Sequence, residues 1–431
     1  MATWHPHLWH PTTQVATADP PLRAVRARGA LLELEDGRQL IDAISSWWVT
    51  LHGHAEPEIA AAVAAQAQTL EQVIFANFSH PPAEALATAL SARTGLERLF
   101  FSDNGSTAVE VALKIAWQWW RNQEEAGTPG AATRRRLIAF DGAYHGDTFG
   151  AMALGERSLF SAPFEPLLFE VARAPWPATW WHDDGVEARE AAALERLEQL
   201  LEEVPTAAVI LEPLVQGASG MAMVRPSFVR GVAERVQAAG ALLIADEVMT
   251  GFGRTGALFA HHLAAIQPDL IALSKGLTGG FLPMGVTMAS ERLFEGFRDA
   301  EQPRRTLFHG HSFTANPLGC AAANASLALL ERQAERFTGF EARHRPHLEA
   351  LARHPRLRRP RLLGTVAAVE LAVERPGYLN PVGRELQRRV LEQGVFLRPL
   401  GQVVYLLPPL CLSDAQLEQC YAAIGRALDD L

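Results

Sequence analysis

Ala241-Leu242-Leu243-Ile244-Ala245-Asp246-Glu247 is an apolar run that ends on two carboxylates, and Leu270-Ile271-Ala272-Leu273-Ser274 is a second run that delivers Lys275. Short apolar runs bounded by polar residues read as buried parallel strands, whose two faces are both covered by helices. Ligands of open α/β sheets gather beyond the carboxyl ends of such strands. Asp246 and Lys275 are therefore expected to converge on one crevice.

A lysine and an aspartate at adjacent strand ends suit pyridoxal phosphate. The amine makes a Schiff base, and the carboxylate keeps the pyridine nitrogen protonated so that the ring accepts electrons. The same two residues would also serve as a partly solvated ion pair, and taken alone they do not separate the two readings.

The rest of the chain narrows the choice. Its 431 residues are 48% hydrophobic and 20% charged, and Ala-rich helical stretches alternate with short Val/Ile/Leu runs, the pattern of an α/β protein with an ample core. A net charge of -9 leaves no basic footprint for nucleic acid or anionic membrane, so small molecules are the expected ligands. Cys320, Cys411 and Cys420 are too few and too far apart for a disulfide framework or a paired-cysteine metal site, which fits a reducing cytosol. The stretch from Met1 to His10 has neither a basic start nor an apolar segment, and no later run sustains the length of a membrane span. A cytoplasmic, untethered protein is expected. His5, His7 and His10 read as incidental, since prolines between them break any regular metal-binding face.

Along the chain, residues 31–42 read as a hairpin around Glu35-Asp36-Gly37-Arg38, followed by helices over 58–73 and 82–94. Leu99-Phe100-Phe101 is a strand, and Ser102-Asp103-Asn104-Gly105-Ser106-Thr107 leads into a helix through Arg121 with Val109, Leu113, Ala116 and Trp120 on its apolar side. Strand, Gly/Ser turn and helix together make an anion site: backbone N–H groups and the positive helix end face the ligand, and Ser106 adds a hydroxyl. The same residues also cap ordinary helices. Further strands are expected over 137–140, 207–211 and 286–289. The tryptophan-bearing segment 170–185 reads as a long surface excursion pinned by its own rings, and the Arg/Pro-rich stretch 353–361 as an exposed turn. A helix over 317–332 leads out of the sheet. Strands at 364–371, 395–398 and 403–407, with helices near 381–393 and 414–430, form a second lobe.

With these elements in place, the chain resembles the class III aminotransferases of the fold type I pyridoxal phosphate enzymes over essentially its whole length. The residues that carry the likeness are Asp246-Glu247-Val248-Met249-Thr250-Gly251-Phe252-Gly253-Arg254-Thr255-Gly256 and Ser274-Lys275-Gly276-Leu277-Thr278-Gly279-Gly280. Four further segments are similar to the branch of that class that works in biotin biosynthesis: Leu8-Trp9-His10-Pro11 with Thr13; Ser45-Ser46-Trp47-Trp48 with His52-Gly53; Gly142 to Thr148; and Arg398-Pro399 before Tyr405-Leu406-Leu407-Pro408-Pro409. The implied fold is a mainly parallel central sheet flanked by helices, with a smaller α+β domain built from both chain ends. The expected layout is an N-terminal segment, 1–45, that joins the small domain; a large cofactor-binding domain, 46–318; and a C-terminal small domain, 319–431.

The resemblance also implies roles. Lys275 binds the cofactor covalently and shuttles the proton, Asp246 pairs with the pyridinium nitrogen, and Gly105 and Ser106 hold the phosphate. Tyr144 and Val248 flank the ring. Trp47 and Tyr144 contact the keto substrate, 8-amino-7-oxononanoate, and Arg398 meets its carboxylate through a planar fork. Gly310, His311 and Ser312 contribute from the partner subunit of a homodimer with shared active sites; the family more usually has threonine at the position of Ser312, and the hydroxyl is kept. Thr12 stands where the branch usually has a tyrosine that shapes the donor site together with the aspartate matching Asp147. S-adenosylmethionine is the first choice of amino donor, with lysine or another amine left open. Gly280-Phe281-Leu282-Pro283-Met284-Gly285 is common in broader ω-amino acid aminotransferases, so that activity stays open as the alternative, as does a catalytically idle cofactor-binding scaffold.

Overall fold

A seven-stranded sheet forms the centre of the computed structural model, which describes residues 4–431. Across the sheet the strands run in the order Arg98–Ser102, Gly285–Ala289, Leu270–Leu273, Leu242–Asp246, Thr206–Leu211, Arg136–Phe140 and Ala172–Ala174. Leu242–Asp246 pairs in parallel with both Thr206–Leu211 and Leu270–Leu273. Only Gly285–Ala289 runs against its neighbours, so the sheet is mainly parallel as expected. The apolar runs are buried throughout: every residue of Thr206–Leu211 and of Leu242–Asp246 is buried. The helix Gly105–Glu125 covers one face with Val109, Leu113, Ala116 and Trp120. On the other face the helices Val186–Glu203 and Pro226–Ala238 contribute Leu197, Phe228 and Val229.

Both chain ends build two further sheets. Leu31–Leu34 and Gln39–Asp42 form the expected hairpin, with Ala24–Arg28 added outside it and Val395–Phe396 paired in parallel with Gln39–Asp42. Leu357–Leu363, Val366–Leu371 and Val403–Leu406 make a three-stranded antiparallel sheet. Among the described residues no helix is long and apolar enough to cross a membrane.

Three sequence expectations need correction. The stretch 353–361 is not an exposed turn, because the strand Leu357–Leu363 begins within it. Arg361 turns inward and donates to the carbonyls of Met221, at 2.8 Å, and Gly220, with Glu370 at 3.2 Å. A guanidinium with that many acceptors can be buried, so a run of arginines was a poor guide to exposure. Pro360 sits in an edge strand where the register shifts, a place that tolerates a missing N–H. The segment 170–185 is only partly an excursion: Ala172–Ala174 is the edge strand of the central sheet, and Trp176 packs 5.5 Å from Phe140 and 5.8 Å from Phe228. Its tryptophan therefore pins the loop, as expected. The helix expected over 58–73 stops at Ala67. Thr69 Oγ1 takes the Ala65 carbonyl and Gln66 Nε2 the Leu70 carbonyl, and side chains that claim backbone groups in this way end a helix.

The segment Ser45–Trp48 is a left-handed turn, with φ of 52°, 46°, 74° and 74° at four consecutive side-chain-bearing residues. Such φ values cost each residue roughly 1 kcal/mol or more, so something must hold the turn. That group is Asp42, which accepts from Ser46 N at 3.0 Å, Ser46 Oγ at 2.7 Å and His54 Nε2 at 2.9 Å. Burial alone would raise the Asp42 pKa, but the bonds from His54 and Ser46 outweigh it and the net shift is downward. Asp42→Ala is expected to destabilise the fold by about 3 kcal/mol, read by urea denaturation. A loss too small to measure would mean that the turn is held by something else.

Burial also pushes the imidazole of His52 down to about 4 and that of His344 down to about 3. Both rings stay neutral in the fold at pH 5, whereas the unfolded chain protonates them below about 6.5. Acidification from pH 6.5 toward 4 thus favours the unfolded state, by at most about 1.4 kcal/mol per pH unit for each ring. Stability should fall through this window, and His344→Gln should flatten the fall. Identical slopes for parent and variant in denaturation at pH 6.5 and 4.5 would contradict this account.

Candidate active site

The carboxyl ends of the parallel strands surround a cavity of about 720 Å³. Leu242–Asp246 delivers Asp246, Leu270–Leu273 is followed by Ser274 and Lys275, and Thr206–Leu211 is followed by Glu212. Arg136–Phe140 leads to Tyr144 and His145, and Arg98–Ser102 leads to Gly105 and Ser106. The convergence of Asp246 and Lys275 is thus a direct result of strand order.

Asp246 is buried and fully engaged. His145 Nδ1 lies 2.6 Å from its Oδ2, and Val248 N donates to its Oδ1 at 3.1 Å. Lys275 has a φ of 41°, and its Nζ stands 4.6 Å from the centre of the Trp48 ring. Burial lowers the Lys275 pKa, with the charges of Asp246 and Glu212 opposing that shift. Glu212 is buried and accepts from Tyr144 N at 3.1 Å and Gly217 N at 3.0 Å. Burial pushes its carboxyl up to about 7; repulsion from Asp246 adds to this and His145 opposes it. Tyr144 is 40% exposed, and burial, then the charge of Asp147, raises its hydroxyl pKa.

The strand, turn and helix read from residues 99–121 are present. Asn104 caps the helix Gly105–Glu125 by accepting from Thr107 N at 3.0 Å. A Cβ on residue 105 would stand 2.6 Å from Val248 Cγ1, so only glycine lets Val248 approach the helix end this closely. Ser106 Oγ lies 2.8 Å from Thr148 Oγ1 and accepts from Thr148 N at 3.0 Å. Helix end, hydroxyl, buried carboxylate and buried amine fit the phosphate, ring nitrogen and aldehyde carbon of pyridoxal phosphate.

The other expected residues fall in two places. Trp47 and Arg398 form a cluster of their own, with the guanidinium 4.7 Å from the Trp47 ring and its Nη2 donating to Thr12 Oγ1 at 3.1 Å. The tryptophan that lines the cavity itself is Trp48, whose Nε1 donates to Tyr405 Oη at 3.1 Å. Gly310, His311 and Ser312 line no part of this chain's cavity; Gly310 and Ser312 are exposed. Asp147 and Val248 are in its wall.

Sequence reasoning missed the roles of Trp48, His145 and Glu212. The signal for Glu212 was present, because it follows the apolar run 207–211 just as Asp246 follows 241–245. His145 adjoins Tyr144, but nothing local says that its ring reaches a carboxylate 101 residues away.

Comparison with known proteins agrees with this geometry. The family described as aminotransferase class-III matches residues 13–428. The adenosylmethionine-8-amino-7-oxononanoate aminotransferase of Synechococcus elongatus is 58% identical over 429 residues, covering 99% of each chain. That of Geobacter sulfurreducens is 38% identical, covering 96% of this chain and 93% of its own. Among solved structures, the enzyme of the same name from Methanocaldococcus jannaschii has a TM-score of 0.90 at 31% identity, covering 98% of this chain and 97% of its own. A PLP-bound amine transaminase from an uncultivated Pseudomonas species has a TM-score of 0.91 at 28% identity, covering 99% of both. The chain belongs to the class-III aminotransferase family.

Proposed function

We propose that this chain is a pyridoxal phosphate-dependent aminotransferase that converts 8-amino-7-oxononanoate to 7,8-diaminononanoate in biotin biosynthesis, by a ping-pong mechanism with S-adenosylmethionine as first-choice donor. The observation that carries the reading is the meeting of Lys275 and Asp246 in one cavity at adjacent strand ends, and the likeness to the Synechococcus protein supports the substrate. When bound, the cofactor supplies an electron sink for the carbon that loses or gains the amino group.

The chain's own residues then divide the work. The helix end at Gly105 and Ser106 holds the phosphate. Asp246 keeps the ring nitrogen protonated, and His145 fixes that carboxylate in place. Tyr144 and Val248 confine the ring between them. Lys275 is the covalent anchor and afterwards the base: its lowered pKa leaves more free amine at neutral pH to take the proton from the substrate carbon. Arg398 meets the carboxylate of the keto substrate. In this chain its guanidinium touches an indole face and a hydroxyl, neither of which carries charge. Trp47 gives the aliphatic chain an apolar wall, and Thr12 and Asp147 border the donor. His311 and Ser312 serve the neighbouring site of a homodimer. Phe308 and Phe313, 77% and 64% exposed on the same segment, support a covered interface there. The three free cysteines accord with a cytoplasmic setting.

A second reading, a broader ω-amino acid aminotransferase, draws on Thr12 and on the likeness to the Pseudomonas amine transaminase. Holoenzyme offered S-adenosylmethionine, lysine and simple diamines separates the two. Bleaching of the cofactor absorption by one of them, with diamine formed on adding 8-amino-7-oxononanoate, is the expected result. No diamine with any donor, alongside turnover of ordinary ω-amino acids, would overturn the proposal. Lys275→Ala should lower turnover by roughly 10³-fold or more while the fold persists. Arg398→Met should cut kcat/KM for the carboxylate-bearing acceptor by roughly 10- to 100-fold, the loss of one charge-assisted contact. An equal effect on an acceptor without the carboxylate would remove Arg398 from that role.

A further inference from the structure

The stretch Arg353-His354-Pro355-Arg356-Leu357-Arg358-Arg359-Pro360-Arg361 concentrates five arginines in a chain whose net charge is -9. Its surroundings do not neutralise them. Arg358, Arg359 and Arg361 approach a single carboxylate, Glu370, at 3.6, 3.5 and 3.2 Å. Three guanidinium groups on one acid leave a local excess of positive charge. At 3.6 Å the contact from Arg358 Nε is too long for a hydrogen bond, and that nitrogen is closed to solvent with no partner among the described residues.

Of this stretch, Arg353 and Arg358 border a second cavity, of about 640 Å³, that shares no lining residue with the one around Lys275. Arg345, Arg353 and Arg358 line it together with Trp181, and Glu349 is the one acid in its wall among the described residues. The aromatic wall is fixed: Trp181 N donates to Pro360 O at 2.8 Å, which ties residue 181 to the strand Leu357–Leu363. Arg345 stands 5.7 Å from the Trp181 ring and 2.7 Å from Glu341. Guanidinium forks match the oxygens of phosphate and carboxylate, and the volume falls within the range of small-molecule sites, about 300–1,000 Å³.

We propose that this cleft binds a small, multiply charged anion, either a phosphoryl compound or a polycarboxylate, at a site separate from the catalytic cavity. The overall negative charge of the chain favours a small ligand over an extended polyanion. The site does not depend on which amino donor or acceptor the enzyme uses.

The test is calorimetric titration of cofactor-loaded enzyme with inorganic pyrophosphate and, separately, with citrate. Saturable binding that weakens as salt is raised is expected, with the stronger of the two probes marking the phosphoryl or the carboxylate class. In Arg353→Gln/Arg358→Gln the affinity should drop about tenfold or more, while transamination without added anion is unchanged. Arg353→Gln alone alters one exposed side chain, so it reads the same loss in smaller degree should the double variant fail to fold. Absence of saturable binding by the parent protein, or equal affinity in parent and variants, overturns the proposal.

Discussion

A buried carboxylate at the end of a parallel strand is the constraint from which the site follows. Asp246 sits where backbone pairing stops, and it remains in a water-poor place because His145 at 2.6 Å and the Val248 amide engage both its oxygens. Those two contacts carry the rest of the arrangement with them. Val248 is drawn onto the end of the helix Gly105–Glu125, which only a glycine at 105 permits. His145 is drawn down with its neighbour Tyr144, whose amide is received by Glu212 at 3.1 Å. One acid therefore orients the start of the helix Gly105–Glu125, the side chains of Tyr144 and Val248 and, through strand adjacency, the amine of Lys275.

Charge inside this crevice is balanced by competition. Asp246 and Glu212 both oppose the fall in the Lys275 pKa that burial causes. Glu212 is itself pushed up to about 7 by burial, so near neutral pH it carries its charge only part of the time. The crevice can thus hold a lysine with a lowered pKa beside two carboxylates, because Glu212 is free to neutralise itself. Arg254 is a further buried charge. Burial lowers its pKa to about 9, and it donates to the carbonyls of Pro408 at 2.8 Å and Trp48 at 3.3 Å.

Most of the central architecture was legible, because buried strands must be continuous apolar runs and the residues just after them are the ones that meet a ligand. The runs ending at Leu211, Asp246 and Leu273 could be read in this way from composition alone. What was hidden depended on distance in sequence or on side chains that contradict their usual habit. Arg361 is buried because carbonyls from another segment receive it, and no local pattern encodes that. Trp47 and Trp48 are indistinguishable as letters, yet the left-handed turn sends them to different tasks, one beside Arg398 and one over Lys275. The helix end at Ala67 was decided by the side chains of Gln66 and Thr69 rather than by hydrophobic period.

That turn bears on how this scaffold can diversify. Ser45–Trp48 is suspended between the sheet of the first residues, through Asp42, and the C-terminal part of the chain, through the bond from Ser45 Oγ to the Leu407 carbonyl at 2.8 Å and that from Trp48 to Tyr405. A tether at both ends makes the indole at 48 a fixed boundary for whatever enters the cavity, while the indole at 47 projects from the same unusual backbone without such a bond. The ring at 47 is therefore more readily exchanged than the ring at 48. Lineages that altered the latter would have to rebuild the junction between the two termini as well.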